Sequence, residues 1–524
     1  MSLHYLDRLS RLVRPCHSLE KDRKRPWLLH YRSSKWFILL TVTFAVFTDI
    51  FLYAVIVPVI PFALKSRAGI AGSQVQSWVS ILIAVYGGAL ALASPICGWI
   101  ADATNNRRLP LVAGLVALGA STIMLNLGRS IVVLVLGRIL QGVSAAVVWC
   151  VGLALVADTV PTDEVGKSMG YVFFAMSVGM IAGPLLGGVV FDKGGYNAVF
   201  GMIYALIGVD IAMRFFMIET KDAKKWKEVE DRGKSQASVE KGEPNDSEGL
   251  EPPQSISNNT LDIVEDGEMA STGGRHRVEN FEPEILVTGS RIKRRVPALV
   301  TLLKSRRLLC ALWACLVVAT LFSHFDSVLP LFVHETFGWD PTAAGLIFIP
   351  LLLPSFASPI IGWAVDKFGP RWITTTGFLL FAPIEVLLRF VTHDTLGQKA
   401  VLCVLLALLG LSLDFSTTPL LVEITFVVMQ KEKDNPGLFG KGGAYAQAYG
   451  LFNFAWACGC LVGPIWAGLV REHAGWGTMT WSIGLLSGLT VVPVFVWTGG
   501  SIFDKGKRQW WSNNETTRTD VDIA

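Results

Sequence analysis

The chain has 524 residues (57.2 kDa), of which 52% are hydrophobic and only 17% charged, with a formal net charge of +4. A soluble domain carries roughly 25% charged residues, so a mean hydropathy of +0.47 leaves too little polar surface to coat the several globular cores that this length would otherwise imply. Most of the chain must face lipid. That excludes a cytosolic enzyme, a disordered regulator and a nucleic-acid binder, because the small positive excess is confined to loops.

In chain order, apolar runs long enough to cross a bilayer, about 20 residues each, recur along the sequence. Their limits are Trp36 to Leu64, Trp78 to Ile100, Leu109 to Leu127, Ile131 to Ala157, Ser168 to Phe191 and Ala198 to Ile218. After a polar interval come Leu308 to Val333, Ala343 to Val365, Trp372 to Val391, Ala400 to Met429, Tyr445 to Val470 and Thr478 to Thr498. The fold class expected is therefore an all-α membrane protein of twelve transmembrane helices. Seven of the cysteines, Cys97, Cys150, Cys310, Cys315, Cys403, Cys458 and Cys460, lie in these runs without CxxC spacing. Neither a metal, a cofactor nor a disulfide framework is expected.

Lysine and arginine fix the orientation, since cation-rich loops stay cytoplasmic. They crowd the segment 1–35 and then alternate loops, at Arg107 with Arg108, Lys221 to Lys227, Arg291 to Arg295, Arg306 with Arg307, Lys367 with Arg371, and Lys431 to Lys441. Both ends are thus expected inside. The interval from Glu219 to Pro297, rich in Glu, Ser, Asn, Gly and Pro, cannot bury enough surface to fold alone. The expected organisation is a basic segment 1–35, a six-helix bundle 36–218, a largely disordered cytoplasmic linker 219–307, a second six-helix bundle 308–498 and a cytoplasmic tail 499–524.

The bundles repeat each other. Gly98-Trp99-Ile100-Ala101-Asp102 followed by Arg107-Arg108 matches Gly362-Trp363-Ala364-Val365-Asp366 followed by Pro370-Arg371, at an offset of 264 residues (362 minus 98). Gly179-x-x-x-Gly183-Pro184-x-x-Gly187-Gly188 matches Gly459-x-x-x-Gly463-Pro464-x-x-x-Gly468, at an offset of 280 (463 minus 183). Duplicated halves enclosing a midplane cavity are a recurrent design of secondary transporters.

These motifs carry a family resemblance. Gly98 to Arg108 resembles the loop signature of the major facilitator superfamily, and Gly179 to Gly188 the antiporter signature of its drug:proton branch. Asp49 ahead of Val57-Pro58-Val59-Ile60-Pro61, Arg138-x-x-Gln141-Gly142, Asp326-Ser327-Val328-Leu329-Pro330 and Asp414-Phe415-Ser416-Thr417-Thr418-Pro419 are similar to the vesicular amine transporters and their fungal relatives. This chain has Asn453 where those transporters carry an acid in the eleventh span, and Tyr86 where they carry a lysine in the second, so amine specificity does not follow. The resemblance implies two pseudo-symmetric six-helix bundles, a proton-coupled antiporter exporting a small organic molecule, and inner-side ionic contacts of Asp102, Arg107 and Arg108, with Asp366 and Arg371 as counterparts. Its partners would be a small-molecule substrate, protons and the bilayer. A monomer in the plasma membrane is expected, with a vacuolar or vesicular membrane, and an importer, as the alternatives.

A charged side chain at the centre of a spanning helix costs about 2.5 to 3.5 kcal/mol on insertion scales, so each is a functional candidate unless a neighbour neutralises it. Asp210 with Arg214, and Glu385 with Arg389, stand four residues apart on one helix face and are expected to pair. Asp49, Arg138, Asp326 and Asp414 have no such partner and are the proton-coupling or substrate-binding candidates. Burial favours the neutral form of an acid, and an approaching cation favours loss of its proton, which is antiport in outline. A static pair of Arg138 with one aspartate is the alternative. Glu423 is read as an inner gate or an interfacial glutamate, and His324 as a relay or a packing residue. Gly179, Gly183, Gly187 and Gly188, with Pro184, read as a close-packed seam.

Overall fold

Ten helices long and apolar enough to cross a membrane are found among the described residues of the computed structural model, and every regular element there is helical. The structure describes residues 27–226 and 298–502, apart from 68, 105–106, 222, 224–225, 340–344, 441–442 and 501. Most of the expected linker, the basic segment before residue 27 and nearly all of the tail lie outside the described residues. We number the ten helices α1 (Lys35–Ser66), α2 (Gly72–Thr104), α3 (Arg108–Leu127), α4 (Ile131–Thr159) and α5 (Val165–Phe216), then α6 (Arg306–Phe337), α7 (Phe348–Phe368), α8 (Pro370–Phe390), α9 (Leu396–Asp434) and α10 (Tyr445–Trp497).

Apolar runs drive these segments into helices because, in hydrocarbon, each backbone N–H and C=O must be satisfied within the segment. The starts of α4, α6 and α9 are set by N-caps: Ser130, Ser305 and Thr395 accept hydrogen bonds from Val133, Leu308 and Gln398 backbone N–H groups at 3.4, 3.4 and 3.3 Å. The count differs from the twelve expected because α5 and α10 run for 52 and 53 residues. Each far exceeds the length of one crossing, and each contains one non-helical glycine, Gly195 (φ 71°) and Gly475 (φ 81°), in the left-handed region that glycine enters without a Cβ penalty. Both fall in the intervals where the sequence predicts a loop.

Within each half, small residues let two backbones approach closely. The α5 glycines pack on α1: a Cβ on Gly183 would lie 2.7 Å from Ala54 Cβ, and one on Gly179 would meet the Phe47 carbonyl at 3.0 Å, whereas Gly188 faces open space. In the repeat, Gly459 and Gly463 of α10 sit against Leu316, Thr320 and Ser323 of α6. The helices before and after the linker form one compact unit, and their halves meet through further glycines. Gly98 of α2 lies against Ala446 of α10, a Cβ on Gly450 would meet the Ser94 carbonyl at 2.6 Å, and Gly166 and Gly170 of α5 lie against Gly362 and Ser358 of α7. The seam is thus α2 with α10 and α5 with α7, at the end that the cation-rich loops predict to be cytoplasmic. Gly183→Val should lower unfolding stability in detergent by about 1–3 kcal/mol through overpacking, while Gly188→Ala leaves it nearly unchanged; thermal unfolding of the purified variants checks this.

Candidate functional site

At the seam, each half clasps the other by the same device. Asp102, at the end of α2, accepts hydrogen bonds from the Ala446 and Gln447 backbone N–H groups at 3.2 and 2.9 Å, the first turn of α10. Asp366, 264 residues on, accepts from Gly166 and Lys167 at 2.6 and 2.8 Å, the first turn of α5. Unpaired amides and the positive end of the helix dipole make such a terminus a site for a carboxylate. The two clasps differ in support. Arg107, almost wholly buried, bonds Asp102 at 2.6 Å and Asp158 at 3.2 Å, and Lys221 reaches the same Asp158 at 3.3 Å. The Arg108 backbone N–H donates to Glu219 at 2.6 Å. Arg371 instead donates to the carbonyls of Thr498, at 2.8 Å, and Gly500.

Deeper in the bundle, the carboxylates have separate partners. Asp49 of α1 is buried and accepts a bond from the Trp149 indole at 3.3 Å, while its other oxygen has no partner. Trp149 lies on a π-helical turn, Val148–Gly152, within α4, a feature frequent at functional sites. The next residue, Cys150, receives a bond from Asn453 of α10 at 3.4 Å and donates to the Ser94 carbonyl at 3.4 Å. One turn of α4 therefore touches both Asp49 and the opposite half. Asp414 of α9 is satisfied by hydroxyls, Ser358 at 2.8 Å and Thr418 at 2.8 Å. Glu423, nearer the end of α9, is gripped by Arg307 through two bonds of 2.5 and 2.7 Å and accepts a third from the Gly499 N–H at 2.8 Å. Those three residues all belong to the second half.

The remaining candidates, Arg138 and Asp326, share Tyr53 as an electrostatic neighbour. Arg138 of α4 is completely buried and donates to the Gln141 side chain at 3.0 Å. Its Nε and Nη2 have no partner, and among the described residues no carboxylate pairs with it. Its electrostatic neighbours are the phenols of Tyr53 and Tyr86, whose rings are 4.9 Å apart. Tyr53 interacts in turn with Asp326, and Tyr86 with Asp49. Asp326 of α6 is exposed although Phe325 beside it is fully buried. It acts electrostatically on Tyr53 of the first half and on Cys460 of α10, which places it at the boundary of the two halves. Phe322, Phe452 and Trp456 form an aromatic cluster with centroids 6.4 Å apart in the second half. The structure thus brings together Arg138, Tyr86 and Asp326 through Tyr53, with Asp49 adjoining, and places Asp414, Glu423 and the clasps elsewhere.

Two expected internal pairs have different outcomes. Asp210 and Arg214 form a buried bidentate pair at 2.9 and 2.8 Å, and Arg214 adds a bond to the Leu111 carbonyl. Glu385 does not pair with Arg389, which is exposed. The rotation of α8 turns Glu385 toward α6 instead, where its Oε1 lies 3.2 Å from His324 Nε2, both residues being fully buried. Spacing along one helix cannot reveal a partner on another. Ser358 and Asp158 escaped sequence reasoning, and Cys150 and Arg307 were read only as a packing residue and an inner-side cation, because their contacts appear only when a neighbouring helix meets them. Glu385→Ala should destabilise the protein by about 3 kcal/mol, the cost of breaking a buried polar pair, and Arg389→Ala only slightly, as read by chemical or thermal unfolding.

A helical bundle with ten lipid-length apolar helices, polar groups gathered between two halves and clasps at one end defines an integral, multi-pass membrane protein of the transporter type. The family model of the Major Facilitator Superfamily matches residues 42–434 and 325–515, and the chain belongs to that family. It is 33% identical over 496 residues to an MFS-type transporter, ppzB, of Metarhizium rileyi, covering 93% of this chain and 99% of that protein. It is also 33% identical over 461 residues to an uncharacterized MFS-type transporter of Schizosaccharomyces pombe (88% and 95% covered). A shorter match, 32% over 152 residues, joins 29% of the chain to 37% of the quinolone resistance protein NorA of Staphylococcus aureus. Among solved structures, the human organic anion transporter MFSD10 (TETRAN) has the same fold, with a TM-score of 0.59 at 16% identity over 88% of this chain and 99% of that one. As a member of a transporter family, the protein is not an enzyme.

Proposed function

We propose that the chain exports a small amphiphilic organic molecule in exchange for protons, by alternating access of one central space to the two sides of its membrane. The observation that carries this reading is Asp326, an exposed carboxylate within α6 at the boundary of the halves, to which no lysine or arginine is paired among the described residues. A carboxylate so placed can hold either a proton or a cationic group but not both well. Asp49, buried in the first half with one oxygen unpartnered, is the second proton site. The clasps of Asp102 and Asp366 close the end read as cytoplasmic, which for an exporter is the state that releases cargo and takes up protons at the other end; loading of cargo requires the clasps to open. Gly195 and Gly475 divide α5 and α10 into two crossings each, which gives twelve spans in two six-helix bundles and returns both ends of the chain to one side. The resistance name of the bacterial relative supports efflux of an amphiphilic drug or metabolite, and efflux from the cell supports the plasma membrane. One chain supplies both halves, which supports a monomer.

The test is flux of a fluorescent quinolone in proteoliposomes with an imposed pH gradient, followed together with internal pH. Movement of drug against the flow of protons is expected. Asp326→Asn should abolish the pH-driven component while leaving exchange of drug for drug, and Asp49→Asn should weaken it. If both single variants keep full pH-driven flux, proton coupling at these residues is wrong; drug and protons moving the same way would mark an importer.

A further inference from the structure

From the state of Arg138 we infer that the transported molecule carries an oxyanion, such as a carboxylate, and that the guanidinium of Arg138 receives it. The cargo is then an organic acid or a zwitterion and not a simple amine. This rests on the reading of the central space as the transport site.

Other arginines of the same molecule grip carboxylates. Arg214 holds Asp210 through its Nε and Nη2, at 2.9 and 2.8 Å. Arg307 holds Glu423 through its Nε and Nη2, at 2.5 and 2.7 Å. In both, one edge of the planar group grips both oxygens of a carboxylate, the arrangement for which a guanidinium fork is suited. Arg138 presents the same edge, and there both nitrogens are buried without any partner. Its one bond, to Gln141, uses Nη1 and a neutral acceptor. The acids of the interior do not supply the missing charge. Asp49 is engaged by Trp149, Asp414 by Ser358 and Thr418, and the groups acting on Asp326 and on which it acts are His324, Tyr53 and Cys460. A buried cation lacking a counter-anion is costly, and the cost is relieved when a ligand brings the anion.

Tyr53 sets the axis of the site. It is partly exposed and interacts with both Arg138 and Asp326, so a cargo whose acidic end reaches Arg138 extends along the Tyr53–Tyr86 ring pair toward Asp326. An aromatic or amphiphilic body fits that path, and a basic group at the far end would meet the Asp326 carboxylate.

The experiment is equilibrium binding to the purified full-length protein in detergent, with no gradient, using aromatic carboxylic acids such as 1-naphthoic acid beside their matched primary amides. Quenching of tryptophan fluorescence and thermal shift report binding. Wild-type protein should prefer the acids by about tenfold or more, the scale of a charge-assisted bidentate contact. Arg138→Gln should bring acid and amide together, and Arg138→Lys, a point charge without the fork, should keep part of the preference. Acids bound no better than their amides by wild-type protein, including no binding of either, would overturn the inference, as would an acid preference unchanged in Arg138→Gln. An acid preference lost in Arg138→Gln, alongside flux that ignores a pH gradient, would support the anion site while removing proton coupling.

Discussion

A charge inside hydrocarbon must be neutralised, and the arrangement of this molecule follows from how each of its buried ionisable groups meets that demand. Asp210 has Arg214, Glu423 has Arg307, Glu385 has His324, and Asp414 has two hydroxyls. These groups are settled within their own half. Arg138 and Asp326 are not: one is buried with an empty donor edge, the other opens on the space between the halves, and Tyr53 lies in the field of both. Groups left in need of a counter-charge can respond when a proton or a charged molecule arrives, and that is why we propose transport through that space.

Glycine makes the response mechanical. Where α5 packs on α1 and α10 packs on α6, backbone lies against backbone with no room for a Cβ, so the proposed motion is one of each half as a body. Between the halves, Gly98, Gly166, Gly362 and Gly450 give an equally close seam at one end, and there the fastening is electrostatic: two aspartates on two helix N-termini. A dipole contact of this kind is worth only about 0.3–1 kcal/mol at an exposed site and up to ~2 kcal/mol when partly buried. It can be released without unfolding anything. The Asp102 side is reinforced by the Arg107–Asp158–Lys221 chain, and the Asp366 side has like charges, Asp163 and Glu164, in its field. The π-helical turn of α4 joins the two levels, because Trp149 touches Asp49 and Cys150 touches Asn453 of the other half.

Much of this was legible in the sequence, and the limits are physical. Apolar length marked the helices, and the Gly-Trp-x-x-Asp repeat announced paired clasps, since a motif duplicated at a fixed offset serves the same contact twice. The i, i+4 rule found Asp210 with Arg214 because both ends of that bond share one helix. It failed for Glu385 because the face of α8 that carries the acid turns to α6, a matter of helix rotation that hydrophobic patterning does not resolve. Asp414 stood out as an unpaired charge in the sequence, and hydroxyls supplied by another helix and by the next turn of its own remove that appearance. The breaks at Gly195 and Gly475 were expected from polarity as loops, yet a single left-handed glycine suffices and the helices otherwise run on. The empty edge of Arg138 had no sequence signal, because a missing partner is visible only when all the neighbours are in place.

The central claim is that neutralisation of Asp326 and Arg138 decides which end of the molecule is open. Spin labels on Thr104, exposed at the end of α2 in the first half, paired in turn with one on Lys367, exposed at the end of α7, and one on Leu438, beyond α9, both in the second half, report the separation of the clasped ends by pulsed dipolar spectroscopy. The populations of short and long distances should shift between pH 8 and pH 6 in the otherwise native protein, and Asp326→Asn should hold one population at both pH values. Distance distributions that are the same at both pH values and unaltered by Asp326→Asn would contradict the account.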